Sequence, residues 1–231
     1  MNSDKEKKSL GLVVAIEMDC IFDYYDNIEK LECPAGFQVY HTSRADCDIY
    51  IIRTGMGEVA AASGTQYLIT QYGVGTIVNF GVVGGLTEDM NKCKLCVVSR
   101  VVHYRYDCSE FLDLQIGQVE GMDSVFMPTD KGLLDKALSI RSDLAPVTCC
   151  SADKFVSKAK DKFEMHVLFE GDICDMEAAG ILLTCKANNV PCLMLKAVSD
   201  SLSGGADEFF VELYNASMEC LKVTDSIINS L

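Results

Sequence analysis

The sequence predicts one α/β domain, a three-layer α/β/α arrangement around a central mixed, mostly parallel sheet. Three observations predict it. Short β-branched runs alternate with longer helical patterns, as crossover connections between parallel strands require. Hydrophobic residues make up 49% of the 231 and charged residues 23%, which suits a single large core. No repeat, low-complexity tract or interdomain linker interrupts the alternation.

The elements follow in order. Residues 1–10 read as a disordered extension ahead of a domain spanning 11–231, and GLVVAI (11–16) is the first strand. Strands follow at 37–41, 48–54 (DIYIIRT) and 75–81 (GTIVNFG), with a helix at 57–72 between the last two. KLCVVSRVV (94–102) is the next strand, and 103–129 has no period and reads as a long loop. Helices at 130–141, 157–169 and 175–189 alternate with strands at 146–150 and 190–198. The last helix, 207–229, places Phe210, Leu213, Ser217, Leu221, Thr224 and Ile228 on one stripe.

Charge and composition exclude several classes of partner. A net charge of -14 repels nucleic acid and anionic membrane surfaces, so neither is expected. The apolar stretch Leu10 to Ile16 is too short for a secretory leader and ends at Glu17 and Asp19; a cytoplasmic protein is expected. Most of the 12 cysteines lie in apolar runs, where free thiols behave as small hydrophobes. Cys93 and Cys96 form a lone C-x-x-C with no second ligand pair, so no metal site is assigned.

Two glycine loops follow strands. TGMGEVAAA (54–62) fits a dinucleotide fingerprint through Gly55, Gly57 and Ala60, but no acid closes the next strand to hold a ribose, and a nicotinamide cofactor is set aside. Its helix start still offers N–H groups to an anion or a polarised water. NFGVVGGL (79–86) is the second loop, and together the two suggest a pocket at the carboxyl edge of the sheet.

Acids gather at the same edge: Asp19 after the first strand, Asp175 and Glu177 in ICDMEAAGI, and Asp200 closing VPCLMLKAVSD. Each taken singly reads equally well as a helix or turn cap. Together, beside two glycine loops, they point to a site.

In AIEMD (15–19), TGMGEVAAA, NFGVVGGL, SADKFV (151–156), CDMEAAGI (174–181) and AVSDS (197–201), in that order and spacing, the chain resembles the nucleoside phosphorylase superfamily, and within it the 5′-methylthioadenosine/S-adenosylhomocysteine nucleosidases. The resemblance runs from about Gly11 to the end. It implies hydrolysis of an adenine nucleoside without a cofactor, in a homodimer. It implies that Glu177 binds the ribose hydroxyls, Met176 packs on the sugar, Phe155 stacks on the purine and the Val156 backbone meets the base edge. Asp200, held by Ser199, would protonate N7, and Asp19 would activate water. Val82 and Gly84 would line the site. Asp175 has no such duty and reads as a cap.

Breaking a purine N-glycosidic bond builds positive charge at C1′ and negative charge on the base, so a carboxylate by the sugar and an acid at N7 suit the chemistry. The chain departs from the family pattern in three places. The acid run reads E-M-D, with Asp19 where the hydrolases carry Glu; period-2 alternation leaves Glu17 on the same face, so either acid serves. Val82 and Val83 make the second loop more apolar. HYRYD (103–107) replaces the usual tyrosine–histidine–acid pattern, and its His103 and Asp107 read as solvated loop residues. NFGVVGGL has no cation, which favours water over phosphate as nucleophile; phosphorolysis and a non-catalytic nucleoside binder are the alternatives. An aspartate at N7 suits a 6-amino purine, because a 6-oxo base would set oxygen against oxygen. Phe111, Leu112, Val125, Phe126 and Met127 form the expected apolar contact surface of the dimer.

Overall fold

The computed structural model describes residues 8–44, 47–91 and 94–231. Its strands are β1 (Lys8–Val14), β2 (Glu29–Leu31), β3 (Gln38–Arg44), β4 (Cys47–Arg53), β5 (Thr76–Gly85), β6 (Leu95–His103), β7 (Met127–Pro128), β8 (Ala145–Ser151), β9 (Ile173–Asp175) and β10 (Cys192–Asp200). Its helices are α1 (Met18–Tyr24), α2 (Glu58–Tyr72), α3 (Lys131–Ile140), α4 (Ala159–Phe169), α5 (Ala178–Asn188) and α6 (Ala206–Ile228). The first strand begins at Lys8, three residues before the expected start, because Lys8–Leu10 already pair with β4.

All ten strands form one mixed sheet among the described residues. Parallel pairing runs through β4, β1, β5 and β10, and again through β6, β8 and β9. Antiparallel pairs close β5, β10, β6, β8 and β9 into a ring, since β10 meets both β5 and β6, and β9 meets the end of β5. The β2–β3 hairpin edge extends the open side through β4.

Two cores clothe the sheet. Ala61 and Leu68 of α2 and Ala178, Ile181, Leu182 and Cys185 of α5 pack on one face. Met18 and Ile21 of α1, Ala137 of α3, and Ala216, Cys220, Leu221 and Ile227 of α6 pack on the other. The α6 stripe differs from its sequence reading at one end. Ser217, Leu221, Thr224 and Ile228 are buried as expected, but Phe210 is 71% exposed. The first turns of α6 are exposed or half-buried, and full burial begins at Ala216.

The short elements α1, β2, β7 and β9 lie in stretches where the sequence carries no resolvable period. No helix among the described residues is long and apolar enough to cross a membrane. Cys93 of the C-x-x-C lies outside the described residues; Cys96 is a free, fully buried thiol, pushed up by burial.

Candidate active site

Register brings the candidate loops to one edge. Val14 pairs with Arg53, Val13 with Asn79, and Asp200 with Gly84, so the residues following β1 and β4 and the ends of β5 and β10 emerge together. They surround a cleft lined by Glu17, Val82, Gly84, Phe155, Met176, Glu177 and Asp200, with Met56, Cys174 and Phe209 among the rest.

Asp19 is not among these residues. It stands exposed in the first turn of α1, while Glu17, just before that helix, is buried in the cleft wall. The alternation that placed both acids on one face assumes extended backbone. The chain turns helical at Met18, where residues two apart diverge by about 200° around the axis. Glu17 Oε2 accepts the N–H of Ala15 (3.1 Å) and Ile16 (2.9 Å), and Oε1 accepts the N–H of Val82 (3.1 Å). NFGVVGGL is strand β5 as far as Gly85 instead of a loop, and a β carbon at Gly81 would lie 2.6 Å from Oε1, so the strand needs glycine there to admit the carboxylate.

The first glycine loop serves a different purpose from the one expected of it. Gly57, at φ 105°, donates its N–H to Glu177 Oε1 (2.9 Å), and Glu58 donates its N–H to Asp153 Oδ1 (2.7 Å). The helix start is therefore occupied by the protein's own carboxylates instead of a ligand anion.

Glu177 sits at the N-cap of α5, and its Oε2 accepts the N–H of Met176 (3.2 Å). Burial and then the neighbouring Asp175 push its carboxyl up to about 7, against the pull of Lys196 and the Gly57 N–H. Asp175 does cap the helix: its Oδ1 accepts the N–H of Glu177 (3.3 Å) and Ala178 (3.2 Å). Its Oδ2 also holds the ammonium of Lys196 at 2.9 Å, both side chains being almost fully buried. Burial alone would raise Asp175, but Lys196 and the other donors hold it below the usual carboxylate range.

Asp200 closes β10 where the pairing register slips after Val198, a local irregularity that re-aims the strand end. The Ser199 hydroxyl lies 3.1 Å from Asp200 Oδ1 and 3.2 Å from the Val83 carbonyl. Lys162 Nζ lies 2.5 Å from Oδ2. Burial holds the Asp200 carboxyl above its ordinary value despite Lys162 and Ser199.

Phe155 is 45% exposed at the mouth and meets Phe209 edge-on, with ring centres 5.5 Å apart. Ser199 and Val156 are buried and are not among the lining side chains. His103 differs from its reading as a solvated loop residue. It ends β6, and its Nε2 lies 3.0 Å from Glu58 Oε2, whose hydrogen bond raises the imidazole's pKa against burial. Asp107 is exposed and binds Ser109.

The sequence model of the phosphorylase superfamily matches residues 10–229. The chain belongs to this superfamily. Among curated relatives, the 5′-methylthioadenosine/S-adenosylhomocysteine nucleosidase of Haemophilus ducreyi is 29% identical over 202 residues, covering 84% of this chain and 85% of the relative. That of Shewanella denitrificans is 30% identical over 173 residues, covering 72% and 74%. The solved Helicobacter pylori nucleosidase of the same name superposes with a TM-score of 0.92 at 22% identity, covering 98% of this chain and 100% of that one. A futalosine hydrolase mutant from the same organism reaches 0.91, also at 22%, covering 97% and 100%. At this identity these likenesses establish the fold.

Within this superfamily member, sequence reading missed three side chains. Lys196 had a signal, a lone cation inside VPCLMLKAV that burial would force to find an acid. Phe209 adjoins the Phe210 assigned to the stripe, and a shift of one residue turns a helical side chain by about 100°. Lys162 had no signal, being one of four lysines between residues 154 and 162.

Proposed function

We propose that this chain hydrolyses the N-glycosidic bond of 5′-methylthioadenosine and S-adenosylhomocysteine, releasing adenine. The observation that carries the reading is the convergence of Glu17, Glu177 and Asp200 on one cleft whose lining has no lysine or arginine. A phosphate dianion needs several charge-assisted donors, and the two nearby buried lysines are already committed to Asp175 and Asp200. Water is therefore the nucleophile. The curated relatives carry nucleosidase names, which supports the same reading.

In this reading Glu17 takes over the role the resemblance assigned to Asp19. Its carboxylate, fixed by three backbone N–H groups, accepts the proton of the attacking water. Glu177 holds the ribose hydroxyls with Met176 against the sugar. Phe155 stacks on the purine, assisted by Phe209, and the Val156 backbone meets the base edge. Asp200, steadied by Ser199, protonates N7 and accepts from the 6-amino group, so 6-amino purines are preferred over 6-oxo purines.

Adenine release measured with and without phosphate tests the reading, and formation of a ribose 1-phosphate only in phosphate's presence refutes it. E17Q is expected to lower kcat by ~10²-fold or more, while D19N stays near the wild-type rate. The reverse pattern would return the water to Asp19.

The protein is a cytoplasmic homodimer in this proposal. The contact surface expected from 103–129 is narrower than the sequence suggested. Met127 is fully buried in the core and Phe126 lies under the Arg100 guanidinium, leaving Phe111 (75% exposed) and Ile116 (50%) as its large outward apolar groups. A monomer mass by light scattering at micromolar concentration would count against the dimer.

A further inference from the structure

Lys162 has no counterpart among the roles assigned so far, yet it is fully buried behind the cleft. It projects from α4, and three oxygens receive its ammonium: Asp200 Oδ2 at 2.5 Å, the Ser201 carbonyl at 2.6 Å and the Gly204 carbonyl at 3.4 Å. A buried ammonium is expensive to desolvate, and an apolar side chain would fill the same space more cheaply.

The pair also changes what Asp200 can do. One of its oxygens accepts from the ammonium, and the other lies 3.1 Å from the Ser199 hydroxyl, whose single proton is shared with the Val83 carbonyl. While it is ionised against Lys162, the Asp200 carboxylate has no proton of its own for the leaving base. The nearest labile protons are on Lys162. Burial works in favour of their transfer, because it penalises the ionised form of Asp200.

We infer that Lys162 is the proton source for Asp200, so that the leaving-group acid of this protein is a lysine–aspartate pair. Lys162 passes one ammonium proton to the Asp200 carboxylate and becomes a neutral amine. As the C1′–N9 bond breaks, its electron pair stays with the base, and N7 takes the proton from the Asp200 carboxyl. The water that attacks C1′ gives its proton to Glu17. Solvent then restores the proton on Lys162 and removes the one on Glu17, so hydrolysis is balanced overall. Lys162 touches no substrate atom and acts through Asp200 as a positioning and proton-supplying residue.

This inference rests on the hydrolase reading, and its test separates the two. Two substrates are compared: methylthioadenosine, whose base needs a proton, and 4-nitrophenyl β-D-ribofuranoside, whose phenolate leaves without one. K162M removes the proton and the charge. K162R keeps the charge but cannot release a proton, because a guanidinium stays protonated in proteins. Both variants are expected to lose ~10²-fold or more in kcat on methylthioadenosine and to stay within about threefold of wild type on the nitrophenyl riboside. Thermal melts identify the folded variants, and K162Q, which can still donate to the two carbonyls, replaces any that does not fold. An active wild type with an undiminished K162R overturns the inference alone, since charge would then suffice. Equal losses on both substrates by a folded variant overturn it too, by making Lys162 a support of the whole site. A wild type that releases no adenine overturns the hydrolase reading and this inference with it.

Discussion

Two carboxylate–lysine pairs, each ending a strand, lie within the same sheet edge and behave differently. Asp175 at the end of β9 meets Lys196 at 2.9 Å, and Asp200 at the end of β10 meets Lys162 at 2.5 Å. All four side chains are almost fully buried. Yet Asp175 is held below the ordinary carboxylate range and Asp200 above it. The other donors and a neighbouring acid account for the difference. Asp175 adds the N–H groups of Glu177 and Ala178 and a further bond from Ser151, whereas Asp200 adds Ser199 and faces the charge of Glu208. Each donor stabilises the ionised form, so the well-supplied acid is held lower, while burial and the Glu208 charge raise the other. A fixed charge suits a scaffold under Glu177, and an acid that retains proton affinity suits the departure of a base.

Replacing Asp200 should have the largest effect. D200N keeps an oxygen for Lys162 but cannot carry the proton, and kcat for methylthioadenosine is expected to fall by ~10²–10⁴-fold with little change in KM. A fall confined to KM would make Asp200 a binding group and erase the contrast. The other pair is best broken from its lysine. K196M leaves the Asp175 charge buried beside a methionine, and urea unfolding is expected to show a loss of about 3–5 kcal/mol. A loss below about 1 kcal/mol would mean that the backbone N–H groups hold Asp175 unaided.

The smallest effect sharpens the comparison through Glu177, which neighbours the first pair. Its carboxyl is raised from 4.5 to about 7 in the folded protein. The folded state therefore binds this proton more tightly than the unfolded chain, and ionisation of Glu177 costs stability as pH rises between those two values. Asp175 has the opposite sign. Its lowered pKa contributes stability above the unfolded value, which is lost as pH falls through the folded one. E177Q should accordingly raise Tm by a few degrees at pH 8 and leave it nearly unchanged at pH 4. The same Tm difference at both pH values would remove Asp175 and burial as the causes.

The alternation of strand and helix was legible from sequence, and the resemblance to the superfamily carried six of the ten cleft residues named here. Val82, Gly84, Phe155, Met176, Glu177 and Asp200 sit in the local motifs that carry the resemblance. The strand and helix pattern acts over a few neighbours, so one sequence carries it. What lay beyond reach were facts set by packing between distant segments. The choice of Glu17 over Asp19 depended on the residue at which β1 gives way to α1. The first glycine loop met carboxylates from residues 153 and 177 instead of a ligand. Lys162 reached Asp200 across 38 positions, and Lys196 reached Asp175 across 21. A charge is free to sit anywhere on a solvated helix, and only the tertiary fold decides which one is buried and against which partner, because desolvation makes that pairing necessary.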